Sequence, residues 1–161
     1  MVLWFAGLSF VIVVQVFRDA AIDYRLVMVG ALLPDVVDPW FGGARVLHTL
    51  AFSAALLGVV MLGTRGHRLL RRRLLAVPIG TFLHLVLDGM WTDTPTMWWP
   101  LPGGRLRAPL PSIHRPWGLI VAMEVAGAVV LVWAWRRFRL DDPERRSVFV
   151  HTGRLDRTLI G

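Results

Sequence analysis

Four stretches of this chain are apolar for close to the length of a bilayer-spanning helix. That feature restricts its fold more than any other. Residues 2–17, 47–63, 74–91 and 117–135 carry almost no charge, and a helix crossing the hydrocarbon core needs roughly 17 to 25 such residues. Residues 26–34 form a weaker fifth segment, too short to span alone, although 20–24 would extend it by a turn. Composition agrees. Hydrophobic residues make up 55% and charged residues 18%, with a mean hydropathy of +0.56, whereas soluble domains carry about 25% charged residues. A disordered chain is excluded and a soluble globule is disfavoured. The expected fold is all-α, a polytopic membrane helix bundle of four to five transmembrane helices. It divides into a transmembrane helical domain, 1–135, with an outer loop at 92–116, and a basic cytoplasmic tail, 136–161. The first stretch has no basic region before it and no small-residue cleavage signature after it, so it is not read as a cleaved signal peptide.

Arginine sets the expected orientation. All 18 basic residues are arginine, and the net charge is +7. With five segments, alternate connections place only Arg45, Arg105, Arg107 and Arg115 on one side. The remaining arginines, including the run Arg71-Arg72-Arg73 and those of the tail, fall on the other. The positive-inside rule assigns the richer side to the cytoplasm. The chain is therefore expected to be multi-pass in the plasma (inner) membrane, with a cytoplasmic C-terminus. Trp4, Trp40, Trp91, Trp98, Trp99 and Trp117 would then lie near the outer interface, and Trp133 and Trp135 near the inner one. Arginine interleaved with apolar runs is a membrane charge bias, so the lipid bilayer is the expected partner and no nucleic acid is expected.

Several chemistries are excluded. There is no cysteine, hence no disulfide, thiolate metal site or cysteine nucleophile. No glycine-rich phosphate loop and no Gly-x-Ser-x-Gly elbow occurs.

What remains is a set of polar residues in costly places. An ionisable side chain at the bilayer centre costs roughly 2.5–3.5 kcal/mol. His84 and Asp88 are four residues apart, so they project from one helix face. Asp35 and Asp38 sit between Pro34 and Pro39, which are expected to end the short second segment. His48 opens the third apolar stretch. All five residues fall towards the outer side. They read either as interhelical hydrogen-bonding groups or as metal ligands. Their carboxylates and imidazoles suit a divalent metal, zinc foremost, with Mn or Fe as alternatives. One or two such ions can activate water for hydrolysis. Glu124, the lone acid of the last stretch, is expected at the depth of His84. It reads either as a hydrogen-bonded structural residue or as a catalytic proton acceptor.

The ordered elements Gly30-Ala31-Leu32-Leu33-Pro34-Asp35-Val36-Val37-Asp38, Leu47-His48-Thr49-Leu50, Phe82-Leu83-His84-Leu85-Val86-Leu87-Asp88 and Trp98-Trp99-Pro100 resemble the inner-membrane-associated metal-dependent hydrolases, a family also described as LexA-binding. That family is distantly similar to zinc-dependent phospholipases C and P1-type nucleases. The chain departs from its pattern at several positions. Val37 and Asp38 stand where the family has Asp and His. Gly43-Ala44-Arg45 replaces His-Arg-Gly, and Leu47 and Thr49 flank His48 where Thr and Ser are usual. The resemblance implies metal ligands at Asp35, Asp38, His48, His84 and Asp88. Glu124 is the candidate general base. The outer cations Arg45, Arg105, Arg107 and Arg115 are candidates to engage the phosphate of a phospholipid-like substrate. The competing expectation is a non-catalytic integral membrane protein whose His/Asp cluster is structural or binds a cation.

Overall fold

The computed structural model describes residues 1–41, 45–101, 104–106 and 115–160. Among these there is no strand, so the expected all-α class holds. In chain order the helices are α1 (Val2–Phe17), α2 (Tyr24–Val37), α3 (Leu50–Gly63), α4 (Arg68–Leu74), α5 (Ala76–Leu87), α6 (Thr94–Met97), α7 (Trp117–Arg137) and α8 (Pro143–Thr152). Short 3-10 turns at Asp38–Phe41, Val46–His48 and Met90–Thr92 bridge them.

Of the four to five spanning helices expected, the described residues supply one by length and composition. Among the described residues α7 alone is long and apolar enough to cross a membrane; α1 and α3 are apolar but shorter. The apolar stretches outrun their helices because polar residues stop them. Thr49 caps α3 by accepting from Phe52 N, and Asp88 followed by Gly89 at φ 72° closes α5 after 12 residues. The 21 residues of α7 rise about 31 Å at 1.5 Å each, matching a hydrocarbon core of about 30 Å. Trp117 stands at one end of α7, and Trp133 and Trp135 at the other, all exposed, where indoles favour the membrane boundary.

Pro34 does not end α2 as expected. It lies inside the helix, which continues to Val37 before tightening into the 3-10 turn. Proline removes one N–H donor from a helix without necessarily stopping it. Here Asp35 stays on the helix, with Asp38 at its cap.

The most extensive helix pair is α2 with α5, and two glycines permit it. A Cβ on Gly80 would lie 2.2 Å from the Val27 oxygen, and one on Gly30 would lie 2.3 Å from the Val77 oxygen. Only the bare backbones fit, the close approach that small residues give membrane helices. Further along the pair, this contact carries His84 against Ala31.

The segment after α7 folds back onto the body. Phe138, Leu140, Leu155 and Ile160 are buried with Phe10, Val13, Tyr24 and Val27. Tyr24 N donates to Gly153 O at 2.9 Å and Leu155 N to Ala20 O at 3.3 Å. Asp23, 2% exposed, pairs with Arg25 and with Arg73 of α4 at 3.0 Å each, and Asp19 pairs with Arg72. Burial pushes the Asp23 carboxyl up, but its guanidinium partners outweigh that and hold it below the usual 3.8.

Candidate metal centre

Three donors converge where α2, the 3-10 turn before α3, and α5 meet. Asp35, His48 and His84 each offer one ligand atom, all within 4.8 Å of one another. His84 Nε2 lies 3.2 Å from His48 Nε2. Asp35 Oδ1 lies 3.6 Å from His48 Nε2 and 3.5 Å from His84 Nε2. Both imidazoles are fully buried, while the Asp35 side chain is 24% exposed, so the cluster is reached from the carboxylate side.

The outer nitrogens decide the character of this cluster. His84 Nδ1 lies 2.7 Å from the Ala31 carbonyl oxygen, which only accepts, so Nδ1 carries the proton. His48 Nδ1 lies 2.6 Å from Asp38 Oδ2 and donates to that carboxylate. Neutral imidazoles with protonated Nδ1 present lone pairs at Nε2. With both rings neutral, two nitrogen lone pairs and a carboxylate oxygen face one point, a repulsive arrangement without a cation. A proton on one nitrogen relieves one contact; a divalent ion satisfies all three donors together. The separations fit such an ion. Four-coordinate zinc, with bonds of about 2.0–2.2 Å, holds its ligand atoms roughly 3.3–3.6 Å apart. Among the described residues three protein donors converge, the number that zinc sites with a further water or substrate ligand use.

The other expected site residues fall around this triad. Asp38 stands behind His48, also accepting from Leu47 N at 3.3 Å, and orients the ring. Asp88 is not in the converging group, although it is four residues from His84 on the same helix. Both its carboxylate oxygens are buried without a hydrogen-bond partner among the described residues, and Arg115 Nη2 approaches Oδ1 at 3.4 Å while donating to the Asp88 carbonyl at 2.6 Å. Glu124 lies elsewhere. Its carboxylate accepts from Leu3 N at 2.9 Å and faces the Met1 amine at 3.6 Å, tying α7 to the start of α1. Arg105 is exposed, and Arg107 lies outside the described residues.

Arg45 has an environment that the sequence did not signal. It is 2% exposed, with Nε and Nη1 lacking a hydrogen-bond partner among the described residues. Asp93, Asp38 and Asp88 supply the negative potential around it. Phe5 was also missed. It is fully buried and stacks on His84 with ring centroids 4.1 Å apart, closing the site on the α1 side. Nothing in an apolar run distinguishes the one phenylalanine that meets an imidazole.

Residues 2–142 match the family described as YdjM inner membrane protein. The chain belongs to that family. The match covers α1 through α7, including all three converging donors and Asp38 behind them. The YdjM family is one of inner membrane proteins, in keeping with the apolar, exposed surface of α7. No curated protein and no solved structure matches the chain.

Proposed function

We propose that this YdjM-family protein is a membrane-embedded, metal-dependent hydrolase acting on a lipid phosphoester at the outer leaflet. The observation that carries this reading is the 3.2 Å approach of two imidazole Nε2 atoms whose Nδ1 protons are already committed to Ala31 and Asp38. Asp35, His48 and His84 hold a divalent ion, zinc foremost, and Asp38 fixes the His48 tautomer. A divalent ion held there would supply Lewis-acid polarisation of a phosphoryl oxygen and a water of lowered pKa. Asp88, buried with both oxygens unpartnered, accepts the proton or joins the ligand set. Arg45 offers two unpaired N–H donors to phosphate oxygens, a charge-assisted contact, and Arg115 holds Asp88 in place. Glu124 is assigned no role in this scheme, because its carboxylate is occupied at the start of α1.

The chain is multi-pass in this reading, with the apolar helix α1 packed against α7 and α3 against α5, and with the arginine-rich end, including the C-terminus, in the cytoplasm. The distant similarity to zinc-dependent phospholipases C and P1-type nucleases belongs to the same proposal. A non-catalytic reading has one observation in its favour. A proton shared between His48 and His84 would turn the same cluster into interhelical glue. Metal analysis of the purified protein separates the two. Stoichiometric zinc or manganese, lost in His84→Ala, together with chelator-sensitive phosphoester hydrolysis, supports the hydrolase. A metal-free, well-folded protein without activity supports the structural reading.

A further inference from the structure

Helices α1 and α7 run side by side in the same direction. Glu124 meets the start of α1 at Leu3 N. A Cβ on Gly7 would lie 2.8 Å from the Gly127 oxygen, and Phe10 meets Phe138 edge-on with ring centroids 5.7 Å apart. Both helices therefore end at the arginine-rich face. There a cavity of about 270 Å³ opens between them, lined by Gln15 and Arg18 of α1, Trp133 and Arg137 of α7, and Leu159 and Ile160 of the tail. The metal centre is remote from it. Phe5 touches His84, and Arg18 lies at the far end of that helix, about 20 Å away.

Among the described residues, no acid lines this cavity. Other arginines at this end are neutralised within the chain, Arg25 and Arg73 by Asp23 and Arg72 by Asp19. Neither Arg18 nor Arg137 is among the arginines that the described ion pairs take up. Two like charges on one cavity repel, and an anion between them turns that repulsion into attraction. Guanidinium groups grip phosphate oxygens through paired N–H donors. The surroundings say which phosphate. A second cavity, of about 450 Å³, shares Trp133 and Arg137 and continues along α7 past Arg136 to Val132 and Val129, both exposed. Val129 stands about 12 Å from Arg137 along the helix. A soluble phosphate makes no use of that apolar strip, whereas a phospholipid lays an acyl chain on it. Depth agrees, because the length of α7 matches the hydrocarbon core and puts its last turn at headgroup level. The half-exposed Trp133 then stands at the boundary where indoles settle.

We propose that the α1–α7 groove at the arginine-rich face binds one acidic phospholipid, its phosphate between Arg18 and Arg137 and an acyl chain along Val132 and Val129. Basic pockets between membrane helices hold acidic headgroups in this way. The bound lipid supplies the counter-charge that the lining residues lack and ties the ends of α1 and α7 to the leaflet they face. Neither metal nor hydrolysis enters, so this site stands apart from the hydrolase reading.

The test is native mass spectrometry of the full chain, carrying a neutral tag after residue 161 and released from detergent that contains equal amounts of phosphatidylglycerol and phosphatidylethanolamine with identical acyl chains. The wild type is expected to retain one phosphatidylglycerol, about tenfold in preference to phosphatidylethanolamine. Arg18→Gln combined with Arg137→Gln abolishes that preference, while Arg18→Lys combined with Arg137→Lys keeps most of it. Arg68→Gln combined with Arg146→Gln removes the same charge from exposed arginines outside the groove and leaves the preference intact. Glycerol 3-phosphate, which has the phosphate without the chains, does not displace the lipid. Equal retention of the two lipids by the wild type, or a preference that falls as far in the Arg68 and Arg146 pair as in the Arg18 and Arg137 pair, overturns the proposal. Displacement by glycerol 3-phosphate overturns the assignment to a lipid and makes the groove a site for soluble phosphate.

Discussion

Asp38 Oδ2 accepts the Nδ1 proton of His48 at 2.6 Å, 10 residues along the chain and across the turn that joins α2 to α3. A carboxylate behind a ligating imidazole fixes the ring and raises its basicity, and losing such a partner typically lowers metal affinity 10- to 100-fold. Asp38→Ala is therefore expected to weaken zinc binding by about that factor, read by competition with a chromophoric chelator. Asp38→Asn, which keeps an acceptor without the charge, recovers part of the loss. Unchanged affinity in Asp38→Ala would show that His48 is not a ligand.

The α2–α5 crossing makes a separate claim on two glycines. Gly80→Ala places a methyl 2.2 Å from the Val27 oxygen, a backbone atom with no room to yield, whereas Gly58 of α3 has nothing within 4 Å of its would-be Cβ. Overpacking costs about 1–3 kcal/mol, while Gly→Ala in an open helix stabilises by about 0.4–1 kcal/mol. Thermal unfolding in detergent should therefore fall for Gly80→Ala and hold or rise for Gly58→Ala. Metal affinity should fall only in the first, because the same crossing places Ala31 O on His84 Nδ1. Equal behaviour of the two variants would remove the glycine contact from the account of the site.

At the arginine-rich end, stability should depend on acid. Burial raises the Asp23 carboxyl and the Arg25 and Arg73 contacts more than reverse that, leaving it below 3.8. A depressed folded-state pKa contributes stability that is complete above the unfolded value and is lost as pH falls through the folded one. The Asp23 contribution should persist from neutrality down to about pH 4 and vanish in stronger acid. Asp23→Asn should be less stable than the wild type at pH 7, with the gap closing below pH 4. A gap independent of pH would mean that shape, not charge, holds α4 and the tail to the start of α2.

The arginine asymmetry predicts orientation. A cytoplasm-specific reporter fused after residue 161 should be active, and a periplasm-specific one silent. The opposite result would move the metal centre to the cytoplasmic leaflet while leaving its geometry intact.

The sequence disclosed the donors better than the scaffold. His84, His48 and Asp35 stand out because ionisable groups in apolar surroundings need a reason, and that logic does not depend on knowing the helix ends. It could not separate Asp35, which joins the triad, from Asp88, which does not. Both lie near helix ends in apolar runs, and the close α2–α5 approach at Gly30 and Gly80, which sets α2 beside the imidazole of His84, is not legible in hydropathy. Glu124 was placed by depth along a presumed straight span, and depth says nothing of direction; its side chain turns to α1. The helix ends were hard to read in the sequence for a related reason. Hydropathy reads through Thr49, Pro78 and the Asp88-Gly89 pair, where hydrogen bonding and backbone conformation start or stop helices. The tail was read from its charge, but Leu155 and Ile160 return it to the core.

Arg45 yields the sharpest test of substrate chemistry. A buried guanidinium with Nε and Nη1 unpaired is costly as it stands, because buried charged donors require partners. Two accounts differ in sign. If Arg45 serves Asp38, Asp88 and Asp93 as their structural counter-charge, removing it strands buried carboxylates. Arg45→Met should then destabilise the protein by about 3–5 kcal/mol and disturb metal binding through Asp38. If its unpaired donors await a phosphate, Arg45→Met removes an unsatisfied group and fills its volume with an apolar chain. Stability and metal affinity should then hold or improve. Meanwhile KM for a phosphoester should rise roughly 10- to 100-fold, the loss of a charge-assisted hydrogen bond of about 1.5–3 kcal/mol. Arg45→Lys, a point charge without the fork, should fall between. Unfolding, zinc competition and steady-state kinetics on the same three preparations decide the matter. A destabilised Arg45→Met with unchanged KM assigns Arg45 to the scaffold.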